Sequence, residues 1–240
     1  MTIMHPEMMN KKVFFKDLGS TEYASTWQMQ KDIFTSIIDV KMDNRHNGTS
    51  TPTQNHLLLT EHLPVYTLGR QGKEEHLLLS MPLLKDKGVS FFKIDRGGDI
   101  TYHGPGQITA YPILDLDNFS PDIHLYVHHL EEIVIRTIAK WGIKGTRSEK
   151  ETGVWIDVGT PTARKICAIG VRTSHWVTMH GFALNVNTDM SYFTHIIPCG
   201  IRGKGVTSME LETGGEIDIE EVKRELTKQF SEVFGAEIIK

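Results

Sequence analysis

The segment from Arg96 to Leu116, RGGDITYHGPGQITAYPILDL, constrains the fold more than any other part of the chain. Two glycine-containing turns, Gly97-Gly98 and Gly104-Pro105-Gly106, bracket a short polar run, and apolar, β-prone residues begin at Ile108. Glycine lacks a Cβ and lets a ligand approach the main chain closely, and the apolar run predicts a buried strand. The pattern indicates a rigid strand that carries a functional loop, although glycines that serve only turn geometry fit it equally.

The first half of the chain alternates between strands and helices. A stripe of apolar residues at helical spacing predicts a helix from Thr21 to about Val40, with Ser20 as its N-cap. The polar segment from Asp43 to Asn55 predicts a long, movable loop. A short helix is expected to begin at Ser80 and to end at Gly88. Strands are predicted at residues 12–18, 56–60 and 89–94.

The second half carries two further amphipathic helices and a group of closely spaced strands. Ser120-Pro121 predicts the start of a long helix that Gly142 stops, and Asp218 with Glu221 forms a capping-box pair for the last helix. Strands are predicted at residues 153–157, 165–172 and 176–185. Strands in hairpin-like spacing between long helices indicate an α+β fold with a mixed or antiparallel sheet, and they argue against a doubly wound fold.

Composition narrows the classes of function. A chain of 240 residues with 39% hydrophobic residues can bury one large core, so we predict a single domain at residues 12–240 after a flexible tail at residues 1–11. The net charge of -4 excludes the broad basic surface that nucleic acid demands. The chain has neither a signal-peptide pattern near its start nor a run of eighteen apolar residues. We therefore expect a cytoplasmic protein that binds neither membrane nor nucleic acid.

Cys199 is a candidate nucleophile. It lies in the sequence IIPCGI, where Pro198 fixes the approach of the chain and Gly200 permits an abrupt exit, so the side chain is expected to project from a tight turn. A thiol with an ordinary pKa is only about 3% thiolate at pH 7 and needs a positive neighbour or a base. The alternative is a buried, inert cysteine.

Lys165 is the candidate partner. It lies in the otherwise apolar strand RKICAIGVR, where burial of an ammonium group costs free energy and therefore indicates a functional role. The alternative is an edge position from which the ammonium group reaches water. Strand alternation predicts that Lys165 and Cys167 point to one face and Ala168 to the other. Spacing alone therefore leaves the choice between Cys167 and Cys199 open, and two cysteines fit neither a disulfide framework nor a metal site.

The histidines offer another source of general bases. For His103 we expect substrate positioning rather than metal ligation, and for His180, in MHGFALNV, the plain alternative is a satisfied polar residue at a strand bend. The sequence contains no GxxxxGK[ST] motif and no HExxH motif, and GPGQIT lacks the third glycine of a dinucleotide fingerprint. We expect no metal and no cofactor.

Several segments together resemble the lipoyl(octanoyl) transferases, also called octanoyl-carrier-protein-dependent protein N-octanoyltransferases. The RGGDITYHGPGQ block is the most specific of them, and the similarity spans roughly residues 12–234 in family order. The matching segments are residues 61–70, 96–116, 165–172, 179–186 and 196–209. The resemblance implies a mixed-sheet α/β catalytic domain of the biotin and lipoate protein ligase type, without a DNA-binding extension.

The resemblance also assigns roles to residues. The acyl-thioester cysteine of the family falls on Cys199 and its activating lysine on Lys165, while Cys167 stands where the family has a small residue without a thiol. The implied substrate-binding residues are Arg96, Gly97, Gly98, Asp99, Ile100, Thr101, Tyr102, His103, Ala168, Ile169, Gly170, Gly181, Phe182 and Ala183.

The implied activity is octanoyl transfer from octanoyl-acyl carrier protein to a lysine of lipoyl domains. The acceptors would be the lipoyl domains of 2-oxoacid dehydrogenase complexes and the glycine cleavage H protein. An ATP-dependent lipoate or biotin ligase on the same fold is the alternative, and a noncatalytic binder of the carrier and lipoyl domains is a third.

Overall fold

The computed structural model describes residues 9–197 and 205–240, and the following counts refer to those residues. Nine strands form the main sheet, in the order β12-β1-β2-β6-β10-β9-β8-β7 with β11 beside β9, and three strands form a small sheet in the order β4-β3-β5. The main-sheet strands are β1 (Lys12–Thr21), β2 (Asn55–His62), β6 (Gln107–Ile113), β7 (Thr146–Arg147), β8 (Val154–Ile156), β9 (Arg164–Ser174), β10 (Val177–Asn185), β11 (Gly205–Val206) and β12 (Glu237–Ile239). The small-sheet strands are β3 (Val65–Leu68), β4 (Ser90–Lys93) and β5 (Ile100–His103).

The helices of the described residues are α1 (Tyr23–Asn47), α2 (Met81–Asp86), α3 (Ile123–Ala139), α4 (Met209–Thr213) and α5 (Ile219–Phe234). The main sheet is mixed. Strand β1 pairs in parallel with both β2 and β12, whereas the pairs β2–β6, β6–β10 and β10–β9 are antiparallel. The predicted α+β architecture with a mixed sheet is thereby confirmed. No helix within the described ranges combines the length and the apolar character that crossing a bilayer requires.

The main core lies on one face of the main sheet, beneath α3 and α5. Alternate residues of the central strands, such as Ile108, Leu184 and Ile166, enter this core with no exposed surface. The opposite face is covered in part by α1, whose Phe34 and Ile37 pack on Leu58 and its neighbours, and in part by the small sheet. This second face holds the pocket described below.

The first helix differs from the sequence-based expectation at both ends. Ser20 lies in β1, and the N-cap position belongs to Glu22, which makes no side-chain cap hydrogen bond. The helix continues to Asn47 and ends at Gly48, whose φ of 66° is the left-handed conformation that glycine adopts readily. The predicted loop from Asp43 to Asn55 was therefore wrong over its first five residues, which are helical, and Asn55 begins β2.

The other helix predictions agree more closely. Asp218 caps α5 by accepting hydrogen bonds from the N–H groups of Glu220 and Glu221. The cap of α3 is Asp122 rather than Ser120, because its carboxylate accepts from the next turn of backbone N–H groups. The division into a tail at residues 1–11 and one domain at residues 12–240 stays a prediction.

Candidate active site

A pocket of about 820 Å³, part of it open to solvent, lies between the main sheet and the small sheet. Most of the lining residues come from β5 and the preceding loop on one side and from β6, β9 and β10 on the other, and single residues come from α1, β11 and the short helical segment Met190–His195. They are Tyr23, Arg96, Gly98, Asp99, Ile100, Thr101, His103, Gln107, Thr109, Tyr111, Lys165, Ala168, Ile169, Gly170, His180, Gly181, Phe182, Ala183, Asn185, Phe193 and Val206.

The strand register arranges the floor of the pocket in rows. Ala183 of β10 pairs with Ala168 of β9 and with Thr109 of β6, and these three small side chains form the middle row. Asn185 and Gln107 form the row at one end. Because side chains alternate between the faces of a sheet, the intervening residues of these strands supply the main core while these residues face the pocket.

At two positions of the pocket floor, a side chain larger than that of glycine would clash with a neighbouring backbone. A Cβ on Gly181 would lie 2.1 Å from the carbonyl oxygen of Ala110, and one on Gly170 would lie 2.8 Å from the carbonyl oxygen of Gly97. The first contact lies within the sheet, whereas the second lies between the floor and the loop above it. Gly170 therefore allows the glycine-rich loop to close over the pocket.

The loop that begins at Arg96 is held by hydrogen bonds on both sides. The N–H of Gly97 donates to the carbonyl of Val171 at 3.0 Å, which ties the loop to β9. The Arg96 guanidinium donates from Nη2 to the carbonyl of Thr67 at 2.8 Å and to its hydroxyl at 3.1 Å. Asp99 accepts from the N–H of Ile100 at 2.7 Å and lies 2.5 Å from Nδ1 of His76. The loop is thus a preorganised part of the wall.

His103 is a neutral imidazole with one defined tautomer. Gln107 donates from Nε2 to the carbonyl of Tyr102 at 3.0 Å and to Oδ1 of Asn185 at 2.9 Å, so its Oε1 faces Nδ1 of His103 at 2.8 Å. An amide oxygen only accepts, so Nδ1 carries the proton. Nε2 then accepts from the hydroxyl of Thr67 at 3.3 Å. Burial lowers the pKa of His103 to about 3, with a smaller effect from the nearby His62.

His180 is also buried and neutral. Its Nε2 lies 2.8 Å from a carboxylate oxygen of Asp95, burial lowers the pKa of the imidazole, and the hydrogen bond from His180 holds the pKa of Asp95 at about 2. The φ of 63° at His180 lies in the left-handed region, which fits the alternative of a polar residue at a strand bend. Arg172 pairs with the same carboxylate. His180 therefore donates to Asp95, and its Nδ1 has no hydrogen-bond partner among the described residues.

Lys165 lies at the end of the pocket next to Asn185 and Val206. Its Nζ lies 4.6 Å from the centre of the Trp155 ring, within the range of a cation–π contact. Val206 pairs with Lys165 in the sheet. The amine therefore has an aromatic support on one side and the open pocket on the other.

The expectation that Lys165 and Cys167 share a face was wrong. Val154 pairs with Cys167 and Trp155 with Lys165, so one step on β8 corresponds to two steps on β9, which is a β-bulge. Ile166 and Cys167 both have no exposed surface and belong to the main core, whereas Lys165 and Ala168 line the pocket. Burial raises the pKa of the Cys167 thiol far above its ordinary value. Cys167 is thus a protonated core residue.

Cys199 and its neighbours Pro198 and Gly200 lie outside the described residues. The chain becomes described again at Gly205, which pairs with Arg164, the residue next to Lys165. On the other side, the N–H of Ile197 donates to the carbonyl of His76 at 2.8 Å.

The sequence matches the Lipoyl protein ligase A/B catalytic domain over residues 22–231. An octanoyltransferase of Christiangramia forsetii is 59% identical over 231 residues, which cover 96% of this chain and 99% of that protein. An octanoyltransferase of Flavobacterium johnsoniae is 58% identical, over 96% of this chain and 100% of that protein. The chain belongs to the octanoyltransferase family.

The fold of this octanoyltransferase is shared with lipoate protein ligases. The bipartite lipoate protein ligase of Thermoplasma acidophilum aligns with a TM-score of 0.67 at 16% identity, over 97% of this chain and 88% of that chain. At such low identity the likeness concerns the fold alone. It confirms the expected lipoate-ligase-like catalytic fold.

The pocket of the octanoyltransferase brings together most of the residues singled out in the sequence. Twelve of the fourteen expected substrate-binding residues line it, together with Lys165, while Gly97 and Tyr102 do not. Gly97 instead ties the loop to β9 through the hydrogen bond from its N–H to the carbonyl of Val171. The Tyr102 ring belongs to a separate core beneath the small sheet, where it stacks on Tyr192 with ring centres 4.5 Å apart.

Sequence reasoning missed several pocket residues of this octanoyltransferase. Gln107, Thr109 and Tyr111 are polar groups at every second position of an otherwise apolar strand, a pattern that could have revealed a second, polar face of β6. Tyr23 was assigned to the apolar stripe of the first helix, and nothing in its local sequence distinguishes a pocket residue from a core residue.

Proposed function

We propose that this octanoyltransferase moves an octanoyl group from octanoyl-acyl carrier protein to a lysine of a lipoyl domain, through a thioester on Cys199. The observation that supports this most is a largely apolar pocket between two sheets with Lys165 at one end. The substrate-binding residues of the proposal are those from Arg96 to His103, from Ala168 to Gly170 and from Gly181 to Ala183, of which all but Gly97 and Tyr102 line the pocket.

In the first half-reaction, the Cys199 thiolate attacks the carbonyl carbon of the donor thioester. A new C–S bond forms to Cys199, and the bond to the carrier's thiol breaks. Lys165 accepts the proton of Cys199 and returns a proton to the leaving thiolate, so the step needs no external acid or base. The pairing of Val206 with Lys165 supports this assignment, because it brings the chain from residue 205 onward alongside the amine.

In the second half-reaction, the ε-amine of the acceptor lysine attacks the octanoyl-Cys199 carbonyl. An amide bond forms, the C–S bond breaks, and the proton lost by the amine returns to the Cys199 sulfur through Lys165. Exchange of one thioester for another is nearly balanced, and conversion to an amide is downhill, so the cycle uses no nucleotide and no cofactor.

The state of Cys167 favours Cys199 as the nucleophile. Cys167 has no exposed surface, and burial raises the pKa of its thiol, so it carries no thiolate near pH 7. Only one of the two cysteines is then available to accept an acyl group.

The pocket supplies binding energy for the acyl chain. Its floor is built from small residues, Ala168, Gly170, Gly181 and Ala183, which leave space above the sheet. Burial of about six methylenes at roughly 0.8 kcal/mol each gives about 5 kcal/mol, enough to favour octanoyl over much shorter acyl groups.

The partners in this proposal are octanoyl-acyl carrier protein as donor and lipoyl domains as acceptors. These are the lipoyl domains of 2-oxoacid dehydrogenase complexes and the glycine cleavage H protein. The reaction is expected in the cytoplasm, and neither nucleic acid nor membrane takes part.

The test is to incubate the protein with octanoyl-acyl carrier protein and to measure its intact mass. We expect one octanoyl adduct, mapped by peptide analysis to Cys199, and its transfer to an added lipoyl domain without ATP. Cys199→Ala should abolish the adduct, while the matched control Cys167→Ala should retain it. An adduct on Cys167, or transfer that requires ATP and survives Cys199→Ala, would reject the mechanism and favour a ligase.

A further inference from the structure

Trp155 of β8 and Lys165 of β9 are paired across the two strands at one end of the pocket. Nζ of Lys165 lies 4.6 Å from the centre of the Trp155 ring. The tryptophan is only 4% exposed, so water is largely excluded from its side of the contact. The face of an indole ring attracts a cation, and the attraction is stronger where water is excluded. The contact therefore favours an ammonium group over a neutral amine at this position.

The bulge between β8 and β9 brings the two side chains together. In a regular antiparallel ladder Trp155 would lie opposite Ile166, because the preceding residue of β8 pairs with Cys167. The bulge instead pairs Trp155 with Lys165, while Ile166 stays in the main core with no exposed surface. Bulges commonly re-aim a side chain next to an active site. Here the bulge gives the amine at the end of the pocket an aromatic neighbour.

The lysine stem also lies along the start of β8. A Cβ added to Gly153 would be 3.5 Å from Cε of Lys165, so the stem passes this glycine at contact distance. The N–H of Gly153 donates to Oε1 of Glu131 at 3.0 Å, which fixes the backbone there. Gly153 and Trp155 therefore confine the side chain and keep its amine over the ring.

No carboxylate of residues 9–197 and 205–240 lies within ion-pair distance of Nζ of Lys165. The charged and titratable groups on the elements around this end of β9 are paired with one another, bonded to the backbone or neutral. They are Glu131 of α3 with Arg147 of β7, Arg164 of β9 with Glu212 of α4 and with Asp157, Arg96 with the carbonyl of Thr67, the neutral imidazoles of His103 and His180, and the protonated thiol of Cys167. Within the described ranges, the Trp155 ring is therefore the contact that stabilises the charged amine.

We propose that Trp155 is a positioning residue of the acylation step, which holds Lys165 as an ammonium group at the end of the pocket through a cation–π contact. This inference rests on the proposed function, since it takes Lys165 to exchange protons with the attacking and leaving sulfur atoms. Trp155 itself touches neither the substrate nor the reacting sulfur.

The proton balance of the step shows where the ring acts. The thiol proton of Cys199 passes to the Lys165 amine, the new C–S bond forms, the bond to the carrier's sulfur breaks, and the ammonium returns the proton to the leaving thiolate. The pair thus alternates between a neutral form, thiol with amine, and a charged form, thiolate with ammonium. Trp155 shifts this balance toward the charged form, which contains the nucleophile.

Loss of the ring should therefore act on the alkaline limb of the pH–rate profile. At high pH the ammonium loses its proton and can no longer protonate the leaving thiolate, so the rate falls. Without the Trp155 ring the ammonium is less stabilised, and this fall should begin at lower pH. A ring that served only to fill space would change the rate by the same factor at every pH.

The experiment measures single-turnover acylation of the full-length protein by octanoyl-acyl carrier protein between about pH 6 and about pH 10.5. In Trp155→Leu we expect the alkaline midpoint to move down by about one pH unit, the size expected for a cation–π contact away from water. Trp155→Phe keeps a weaker aromatic face and should move the midpoint by about half a unit. The ring does not line the pocket, so the donor concentration for half the maximal rate should stay within about twofold of wild type.

Trp141→Leu is the matched control. Nζ of Lys140 lies 5.3 Å from the centre of the Trp141 ring, and neither residue lines the pocket. The variant removes the same kind of contact at an exposed lysine, so the alkaline midpoint should stay within about 0.2 pH unit of the wild type.

A second measurement does not depend on acyl transfer. In a Cys199→Ala background, the Lys165 amine is labelled with acetic anhydride at a series of pH values, and peptide mass spectrometry gives the extent of labelling. The labelling midpoint should fall by about one pH unit when Trp155→Leu is added.

An unchanged midpoint in either measurement with Trp155→Leu would overturn the proposal. If that variant does not fold, an unchanged midpoint in Trp155→Phe would do so. Failure of the wild-type protein to accept any octanoyl group would instead reject the proposed function, and the labelling measurement would still decide whether Trp155 stabilises the ammonium form of Lys165.

Discussion

The two faces of the main sheet use the same strands for opposite purposes. On the face beneath α3 and α5, Ile108 and Leu184 are fully buried in a continuous apolar core. On the other face, their neighbours Thr109 and Ala183 border a pocket. Helices α3 and α5 pack on the first face, whereas the pocket separates the small sheet from the second. Along one strand, alternate residues therefore stabilise the core and line the pocket. Substitutions at adjacent positions should accordingly change either the stability or the activity, but not both.

The largest expected effect is at the Lys165 end of the pocket face. Lys165→Ala should slow acylation by octanoyl-acyl carrier protein by about 10²–10⁴-fold near neutral pH, because a positioned proton acceptor contributes that much. The thermal unfolding midpoint should stay close to that of the wild type. Single-turnover mass spectrometry measures the rate, and Lys144→Ala, at an exposed lysine, is the control. Full acylation in Lys165→Ala would remove its assigned role.

On the core face, Leu184→Ala should lower the free energy of unfolding by about 2–5 kcal/mol, because a buried leucine leaves a cavity in a packed core. Urea unfolding measures this loss. The octanoyl transfer rate of the folded fraction should remain within a few-fold of wild type. A large loss of rate with unchanged stability would contradict the division between the faces.

Ala183, the pocket residue next to Leu184, gives a second test of the difference between the two faces. Ala183→Val adds two methyl groups beside Ala168 and Thr109, where they would occupy space meant for the acyl chain. We expect kcat/KM for the octanoyl donor to fall about tenfold, with less than about 1 kcal/mol of change in the free energy of unfolding, because the added methyls enter open space rather than a filled core. A stability loss as large as that of Leu184→Ala would show that position 183 belongs to the core.

The last prediction concerns pH and the opposite wall of the pocket, and it leaves the free energy of unfolding above pH 6.5 unaffected by the titration of His103. Since the pKa of His103 is lowered to about 3 in the folded protein, the unfolded state binds more protons between that value and about 6.5. Stability contributed by neutral His103 is present above pH 6.5 and is lost as the pH falls toward 3. The free energy of unfolding should rise less steeply with pH in His103→Gln than in the wild type. Between pH 4.5 and 6 we expect this slope to fall by at most about 1.4 kcal/mol per pH unit. Urea titrations at several pH values would show an unchanged slope if His103 were protonated in the folded state.

The elements that sequence predicted well are those with local causes. Asp218 caps its own helix through the next turn, and the apolar, β-prone run after Gly106 forms the buried strand β6. The prediction for the end of α1 was wrong because that end depends on contacts beyond the helix. Its last turn is polar, but Asn44 holds it by accepting from the N–H and the hydroxyl of residues beyond Gly48, including Thr49 and Thr51. That contact joins residues that composition alone assigns to a loop.

The candidate site shows the same limit. The loop from Arg96 and the small residues of β9 and β10 were identified because they form contiguous motifs. The bulge that turns Cys167 away from Lys165 depends on the pairing of β9 with Val154 and Trp155, and Tyr23 enters the pocket from another part of the chain. Both features arise from tertiary pairing, which no single segment encodes.

The parallel pairing of β1 with β12 has a consequence for synthesis on the ribosome. Lys12 to Phe14 pair with Glu237 to Ile239, so one edge of the sheet finds its partner only after more than two hundred further residues have been made. Until then, one side of β1 presents unpaired backbone groups, which invite association with other nascent chains. Lys16 and Asp17 in this strand carry charges that oppose such association while the ladder is incomplete.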